Sequence, residues 1–358
     1  MITVFIRADA SLNMGTGHIM RCLVLAECFQ NKGALVHFIC RQYIGNLCDL
    51  IEQRGFIINR LDLLSNDYNP NYEKISSDWD DDAQETYKIV SEIKGKPAWL
   101  IVDHYGLDVR WERAIRPLVK RILVIDDLAN RQHDCDILID QNLHLDSNNR
   151  YFDLVPESAL LFLGPRYAQL RAEFNDPLLL RQRSGVLHTL LVYFGGADPG
   201  NQTLKLLDAL RLLAYKSFTT TIVLGSIHSN YDLIKSAAEG LEKIRVIGVT
   251  DQMGQLMAEA DLAVGTCGIA AWERCLLGLP SIVVITAENQ REDAIILDKV
   301  GAVINLGEAD SLGAIDFAQK LEYLGSNREV LKEMALASLS VMDGRENAMR
   351  EISDVLFE

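Results

Sequence analysis

The sequence predicts two doubly wound α/β domains, each built on a parallel sheet. Two observations carry this. Short apolar runs alternate with helical patterns along nearly the whole chain, and strands separated by helical segments imply right-handed crossovers and parallel pairing. The alternation breaks once, over Arg171–Gly185, where RAEFNDPLLLRQRSG carries Pro, Asn, Ser and mixed charge. That segment is the best candidate for a linker. The chain length of 358 residues agrees, since a domain takes roughly 150 residues.

In the first half, Ile2–Arg7 reads as a strand and Gly17–Gly33 as a helix, whose apolar face starts with Met20, Leu23 and Val24 and which Gly33 stops. Leu35–Cys40, Phe56–Leu61, Trp99–Asp103, Arg121–Asp126 and Ile137–Asp140 follow as strands, with a helix over Leu47–Arg54 and a polar loop over residues 62–80. Asp78, Asp80, Asp81 and Asp82 precede the apolar positions Tyr87, Ile89, Val90 and Ile93, so they are expected in a first helical turn, complementing its dipole. The second half repeats the pattern, with strands at Thr189–Phe194, Thr219–Leu224, Ile244–Gly248, Leu262–Gly265, Ser281–Ile285 and Val303–Leu306. The expected division is residues 1–175, 186–345, and a C-terminal helix over 346–358.

Composition excludes several classes. Lys+Arg is 35 and Asp+Glu is 50, a formal net charge of −15, which argues against general affinity for nucleic acid or an anionic membrane. Apolar runs such as Leu190–Phe194 and Ile282–Ile285 fall far short of the roughly 20 residues of a spanning helix. The start, MITVFIRADAS, has no signal-peptide pattern. Seven cysteines with no C-x-x-C pair fit reduced, mostly buried thiols and a cytoplasmic location. No histidine pair has a zinc-ligand spacing, and no metal is expected.

Chemistry is expected where strands end in Gly-rich turns, because ligands of open α/β sheets sit beyond the carboxyl ends of strands. Three such turns stand out: Asn13–His18, Gly195–Gly200 and Val264–Gly268. Glycine admits close approach, and a helix N-terminus offers unpaired N–H groups to phosphate. His18 opens a helix after Gly15-Thr16-Gly17 and is placed to accept a proton. His37 reads as structural, and His133, His144, His188 and His228 as surface residues. Asp103-His104-Tyr105 brings a carboxylate, an imidazole and a phenol to one strand end, and Asp126-Asp127 closes the next strand as a cap or an acid–base pair. Glu273, on a helix behind the third turn, is placed to accept ribose hydroxyls, or else pairs with Arg274 on the surface. Asn289 and Gln290 can bond a sugar or cap the next helix.

The runs RADASLNMGTGHIMRCLVLA, DHYGLD, YFGGADPGN and ADLAVGTCGIAAWERCLLGLPSIVV, with ENQ at 288–290, together resemble the UDP-2,4-diacetamido-2,4,6-trideoxy-β-L-altropyranose hydrolase family of pseudaminic acid biosynthesis. The resemblance runs from residue 1 to about residue 300. It implies two Rossmann-like domains facing across a cleft, the fold of the B-type glycosyltransferases. It further implies a cytoplasmic, metal- and cofactor-independent enzyme, a monomer, that replaces UDP by water at the anomeric carbon of a UDP-linked diacetamido-trideoxy sugar. The implied catalytic residues are His18 as base, with Asp103 and Tyr105. The implied substrate-binding residues are Gly15, Gly17, Arg21, His104, Gly196, Val249, Thr266, Cys267, Gly268, Glu273, Asn289 and Gln290, with Gly196 and Thr266–Gly268 cradling the diphosphate. Three rival readings remain: a UDP-sugar-dependent glycosyltransferase on the same fold, a related nucleotide-sugar hydrolase in surface polysaccharide synthesis, and a non-catalytic nucleotide-sugar binder.

Overall fold

A computed structural model of the chain describes residues 2–64, 76–145, 149–198, 200–213, 217–225, 228 and 230–357. Most of the polar stretch 62–80 lies outside them. Two compact units form: Met1–Asn142, Asp146–Gln169 and Met349–Glu358 make the first, and Leu143–Leu145 with Leu170–Ala348 the second.

The first unit carries strands β1 (Thr3–Ala8), β2 (Leu35–Arg41), β3 (Ile57–Leu61), β4 (Trp99–Asp103), β5 (Arg121–Ile125), β6 (Ile137–Asp140) and β7 (Leu160–Leu163). They pair in the order β3-β2-β1-β4-β5-β6-β7, all parallel. β7 is not among the strands expected from the sequence. It is a short edge strand with Leu160 and Leu161 exposed, so it lacks the buried run that marks the central strands.

The second unit carries β8 (Thr189–Tyr193), β9 (Thr219–Val223), β10 (Ile244–Ile247), β11 (Leu262–Thr266), β12 (Ser281–Ile285) and β13 (Val303–Glu308), in the order β10-β9-β8-β11-β12-β13, again parallel. Its sheet is apolar on both faces. Leu190 and Val192 enter one core, with Ile222, Val264 and Phe317, while Leu191 enters another, with Val223, Ala263 and Met257. This is the two-sided burial that a parallel sheet requires. In both sheets the strand order reverses direction between the first strand and the fourth, so the switch points lie at β1/β4 and β8/β11.

Residues 171–185, expected as a linker, pack into the second unit. Phe174 and Leu179 close its second core. The Arg183 guanidinium donates to the carbonyls of Met257 at 3.1 Å and Leu277 at 3.0 Å, and to that of Ala260. Mixed composition disguised a segment whose Phe174 and Leu179 are buried in that core, while Leu178 and Leu180 stay exposed. The terminal helix Arg345–Phe357 reaches the first unit from Met349 onward. Trp99 Nε1 donates to the Leu356 carbonyl at 3.2 Å, and Phe357 meets Phe29 with ring centroids 5.0 Å apart.

Beneath the carboxyl end of β1 lies a buried charge network. Arg7 holds Asp9 through two bonds of 2.6 and 2.9 Å and Asp82 through two of 3.1 and 2.7 Å. Arg41 joins Asp82 at 2.7 Å, and Trp111 Nε1 donates to Asp82 at 2.9 Å. Asp82 is therefore not simply an acidic first-turn residue of the helix Trp79–Ser91; it is an internal counter-ion to two arginines. Burial opposes its ionisation, but Arg7 and then Arg41 outweigh that and draw its carboxyl from 3.8 down to about 2. His133 and His228 are likewise internal: their side chains are almost wholly buried, His133 beside Glu112 at 2.7 Å and His228 near Asp198 at 3.6 Å.

Because Asp82 titrates lower in the folded chain than in the unfolded one, its contribution is full above the ordinary carboxyl range. It is lost as pH falls from there toward 2. Asp82→Asn should remove about 3–5 kcal/mol at neutral pH, read by denaturant unfolding, with the difference from wild type shrinking as pH falls below 4.

Candidate active site and anion-binding turn

The first switch point is built by the turn after β1 and the end of β4. Gly15 takes φ +75°, a conformation that favours glycine, and its N–H donates to Ser11 O at 2.8 Å. The turn then feeds the helix Gly17–Asn31, which carries His18 in its first turn and Arg21 one turn later.

Asp103, the last residue of β4, is fully buried and receives both. His18 Nδ1 lies 2.6 Å from Asp103 Oδ1. Arg21 donates through Nε to Oδ2 at 2.6 Å and through Nη2 to Oδ1 at 2.7 Å. Burial disfavours the Asp103 charge, but Arg21 foremost and His18 next hold its carboxyl well below the usual range. An ionised carboxylate only accepts, so Nδ1 of His18 carries the proton and donates it. The 3.3 Å approach of Arg21 Nη2 to the same nitrogen is then a contact between two donors that share one acceptor. The Asp103 bond fixes the tautomer and directs Nε2 away from the carboxylate, the arrangement of an oriented general base.

Tyr105 stands beside His18, rings edge to face at 4.6 Å, and its hydroxyl donates to Asp127 Oδ1 at 2.5 Å. Asp127 Oδ2 accepts from Arg21 Nη1 at 3.0 Å. Asp127 thus belongs to the cluster, although the sequence singled it out only as half of a cap or acid–base pair. Successive residues leave a strand end on opposite sides. Asp126 takes the Ala129 N–H at 2.9 Å and Arg131 at 2.7 Å as a turn anchor, and Asp127 faces Arg21.

His104, expected to touch substrate, points into the protein instead. It is 2 % exposed, Nδ1 accepts the Gly106 N–H at 3.0 Å, and Nε2 lies 3.2 Å from Asp9. Both nitrogens are committed to holding the turn after β4 against the end of β1.

In the second unit two Gly-rich turns behave differently. After β8, Asp198 caps the helix Gln202–Leu212, accepting the N–H groups of Gln202 at 2.8 Å and Thr203 at 2.9 Å. That helix end is satisfied by the chain's own carboxylate, with Gly196 in the turn leading to it. After β11, Gly268 begins the helix Ile269–Leu276 with no side-chain cap, and space is open where a Cβ would stand. The Thr266–Gly268 turn is therefore the better anion receptor.

Glu273 projects from this helix about 7.5 Å along its axis from Gly268, at 1.5 Å rise per residue. It is buried, and Arg171 grips it with Nε–Oε1 2.9 Å and Nη2–Oε2 3.0 Å. Arg171 also meets Glu173 at 2.9 Å. Arg274 is not its partner: that side chain turns inward to the Thr266 carbonyl at 2.7 Å. Burial raises the Glu273 carboxyl, and Arg171 works against that rise. No local pattern marks Arg171, since its partner is a hundred residues away. Gln290 accepts from Thr286 Oγ1 at 3.1 Å, Asn289 is exposed, and Val249 lies in an exposed position after β10. Among the described residues, no group of three or more His, Cys, Asp and Glu side chains is arranged to hold a metal ion, and no helix is long and apolar enough to cross a membrane.

Residues 189–355 match the Glycosyltransferase family 28 C-terminal domain. MurG of Acinetobacter baumannii superposes with a TM-score of 0.63 at 16 % identity, over 99 % of each chain. The fold is that of the B-type glycosyltransferases. The UDP-2,4-diacetamido-2,4,6-trideoxy-beta-L-altropyranose hydrolase of Campylobacter jejuni is 27 % identical over 300 residues, 83 % of this chain and 97 % of that protein. An uncharacterized protein of Methanocaldococcus jannaschii is 29 % identical over 301 residues, 81 % of this chain; the chain spans only 57 % of that relative's length.

Arg171→Ala leaves Glu273 buried without its bidentate partner. Burial already raises this carboxyl, so the folded state resists its ionisation as pH climbs above the ordinary carboxyl range. The stability deficit of the variant should be small near pH 4 and grow toward pH 7, as followed by denaturant midpoints; a pH-independent deficit would contradict the pairing.

Proposed function

We propose that the chain is a nucleotide-sugar hydrolase that releases UDP from UDP-2,4-diacetamido-2,4,6-trideoxy-β-L-altropyranose, or a close diacetamido-sugar relative. The observation that carries this reading is the 2.6 Å bond between His18 and an Asp103 whose charge Arg21 secures. It gives an oriented imidazole at the carboxyl end of a parallel sheet, where this architecture puts its chemistry. The similarity to a relative named as a hydrolase over almost its full length supports the same reading.

In this reading the second unit grips UDP. Thr266, Cys267 and Gly268 present backbone N–H groups to the diphosphate, and Glu273 accepts from the ribose. The first unit activates water. The water oxygen bonds to the anomeric carbon, the bond from that carbon to the phosphate oxygen breaks, and UDP departs with the electron pair. The proton leaves the water for His18 Nε2. A diphosphate is already a good leaving group, so N–H donors suffice to stabilise its developing charge. The water needs a base, and general base catalysis contributes typically ~10²–10⁴-fold. Tyr105, against the His18 ring, is placed to shape the sugar pocket.

A second reading, a UDP-sugar-dependent glycosyltransferase, is favoured by the family 28 match and by relatives named as N-acetylglucosamine transferases. It shares the nucleotide grip and differs in the acceptor, since a sugar or lipid hydroxyl takes the place of water.

The readings separate in water enriched in ¹⁸O. The hydrolase should release UDP without any added acceptor and put the label on the sugar's anomeric hydroxyl, with none in UDP. Label in the diphosphate, or no UDP release until an acceptor is supplied, would sink the hydrolase reading. His18→Asn should retain UDP affinity by calorimetry while turnover falls ~10²–10⁴-fold; turnover near wild type would remove His18 as the base.

A further inference from the structure

Among the described residues of the second unit, Arg274 is the most deeply buried cation, and the proposed reaction leaves it unused. Arg274, on the helix Ile269–Leu276, is 2 % exposed. Nη2 donates to the Thr266 carbonyl at 2.7 Å, and Nε has no partner. Among the described residues it makes no ion pair, and its carboxylate neighbour in sequence, Glu273, has both oxygens on Arg171. The backbone makes room for it. A Cβ on Gly265 would stand 2.3 Å from the Tyr193 carbonyl, so the close approach of the neighbouring strand requires glycine there; the missing side chain also leaves room for Arg274 Nη1, which would lie 3.2 Å from that Cβ.

A buried cation with no ion-pair partner is unfavourable, and Glu273, whose oxygens are held by Arg171, acts on Arg274 only through space. Burial lowers the Arg274 pKa, yet a guanidinium holds its proton at any ordinary pH. The charge therefore sits permanently behind the Thr266–Gly268 turn. Its bond to the Thr266 carbonyl also polarises the peptide unit shared with the Cys267 N–H, which strengthens that N–H as a donor. On the open side of the turn is the uncapped helix N-terminus. Both features call for negative charge at one place.

We infer that Arg274 is a positioning residue for a diphosphate: acting through the Thr266–Cys267 peptide, it makes the turn select a doubly charged group over a neutral one, and the bound diphosphate supplies the missing counter-charge. The nucleotide-sugar reading is assumed in naming the diphosphate as that of a nucleoside.

Calorimetric titration with UDP, uridine and inorganic pyrophosphate tests this. Arg274→Met and Arg274→Gln remove the charge, and Gln keeps a donor for Thr266. Arg274→Lys keeps the charge. The two neutral variants should bind UDP and pyrophosphate roughly tenfold or more weakly, with uridine affinity unchanged, and Lys should recover most of the loss. Unchanged UDP and pyrophosphate affinity in a folded neutral variant overturns the inference. An equal loss for uridine assigns Arg274 a merely structural part and overturns it as well. Wild-type protein that binds pyrophosphate but no uridine compound refutes the nucleotide reading, and Arg274 is then judged on pyrophosphate alone. Wild-type protein that binds neither refutes both.

Discussion

Buried arginines clamp pairs of carboxylates at the carboxyl edge of the first sheet, and the candidate site depends on those clamps. Arg7 holds Asp9 and Asp82; Arg21 holds Asp103 and Asp127. A parallel sheet covered on both faces leaves polar groups only the strand ends at which to emerge. Carboxylates placed there lose their water and must be matched by charge or hydrogen bonds. Each clamp serves twice. It removes the penalty of a buried ion, and it leaves the carboxylate rigid enough to orient a third group. Asp9 orients His104, which steadies the turn; Asp103 orients His18 beside the Tyr105 ring. Two adjacent histidine–aspartate contacts thus differ in their second partner: His104 also takes the Gly106 N–H, whereas His18 lies edge to face on Tyr105.

The second unit handles charge differently. At the end of β8 the chain caps its own helix with Asp198, whereas at the end of β11 it leaves the helix uncapped and puts Arg274 behind the turn. A chain with net charge −15 can therefore still present a local positive field, because field at a turn depends on the few charges nearest to it and not on the total. Arg171 adds a further constraint. Arriving from the segment that reads as a linker, it ties Glu273 in place, so that the loop covering the second core also fixes the carboxylate on the helix behind the Thr266–Gly268 turn.

Much of this was legible in the amino-acid sequence. The alternation of apolar runs and helical patterns, the three Gly-rich strand ends, His18, Asp103 and Tyr105 at strand ends, and Glu273 on the helix behind the third turn all follow from local spacing. What local spacing could not supply is partnership. Arg7 and Asp82 are 75 residues apart, Arg21 and Asp127 are 106, and Arg171 and Glu273 are 102. Asp82 reads as a helix-dipole residue, His104 as a substrate ligand and Arg171–Gly185 as a linker until the chain is folded. Periodicity tells which face a side chain leaves by; it carries no information on what waits there.

The sequence by itself determined the strand-and-helix alternation, and with it two parallel sheets whose ligand-facing ends are fixed by glycine and by chain direction. Only the tertiary structure decided which of the residues at those ends are available for chemistry. The reason is that availability is set by pairing: a buried carboxylate or imidazole is spoken for once an arginine or a backbone N–H from a distant element reaches it, and that reach is a property of packing rather than of neighbours in the chain.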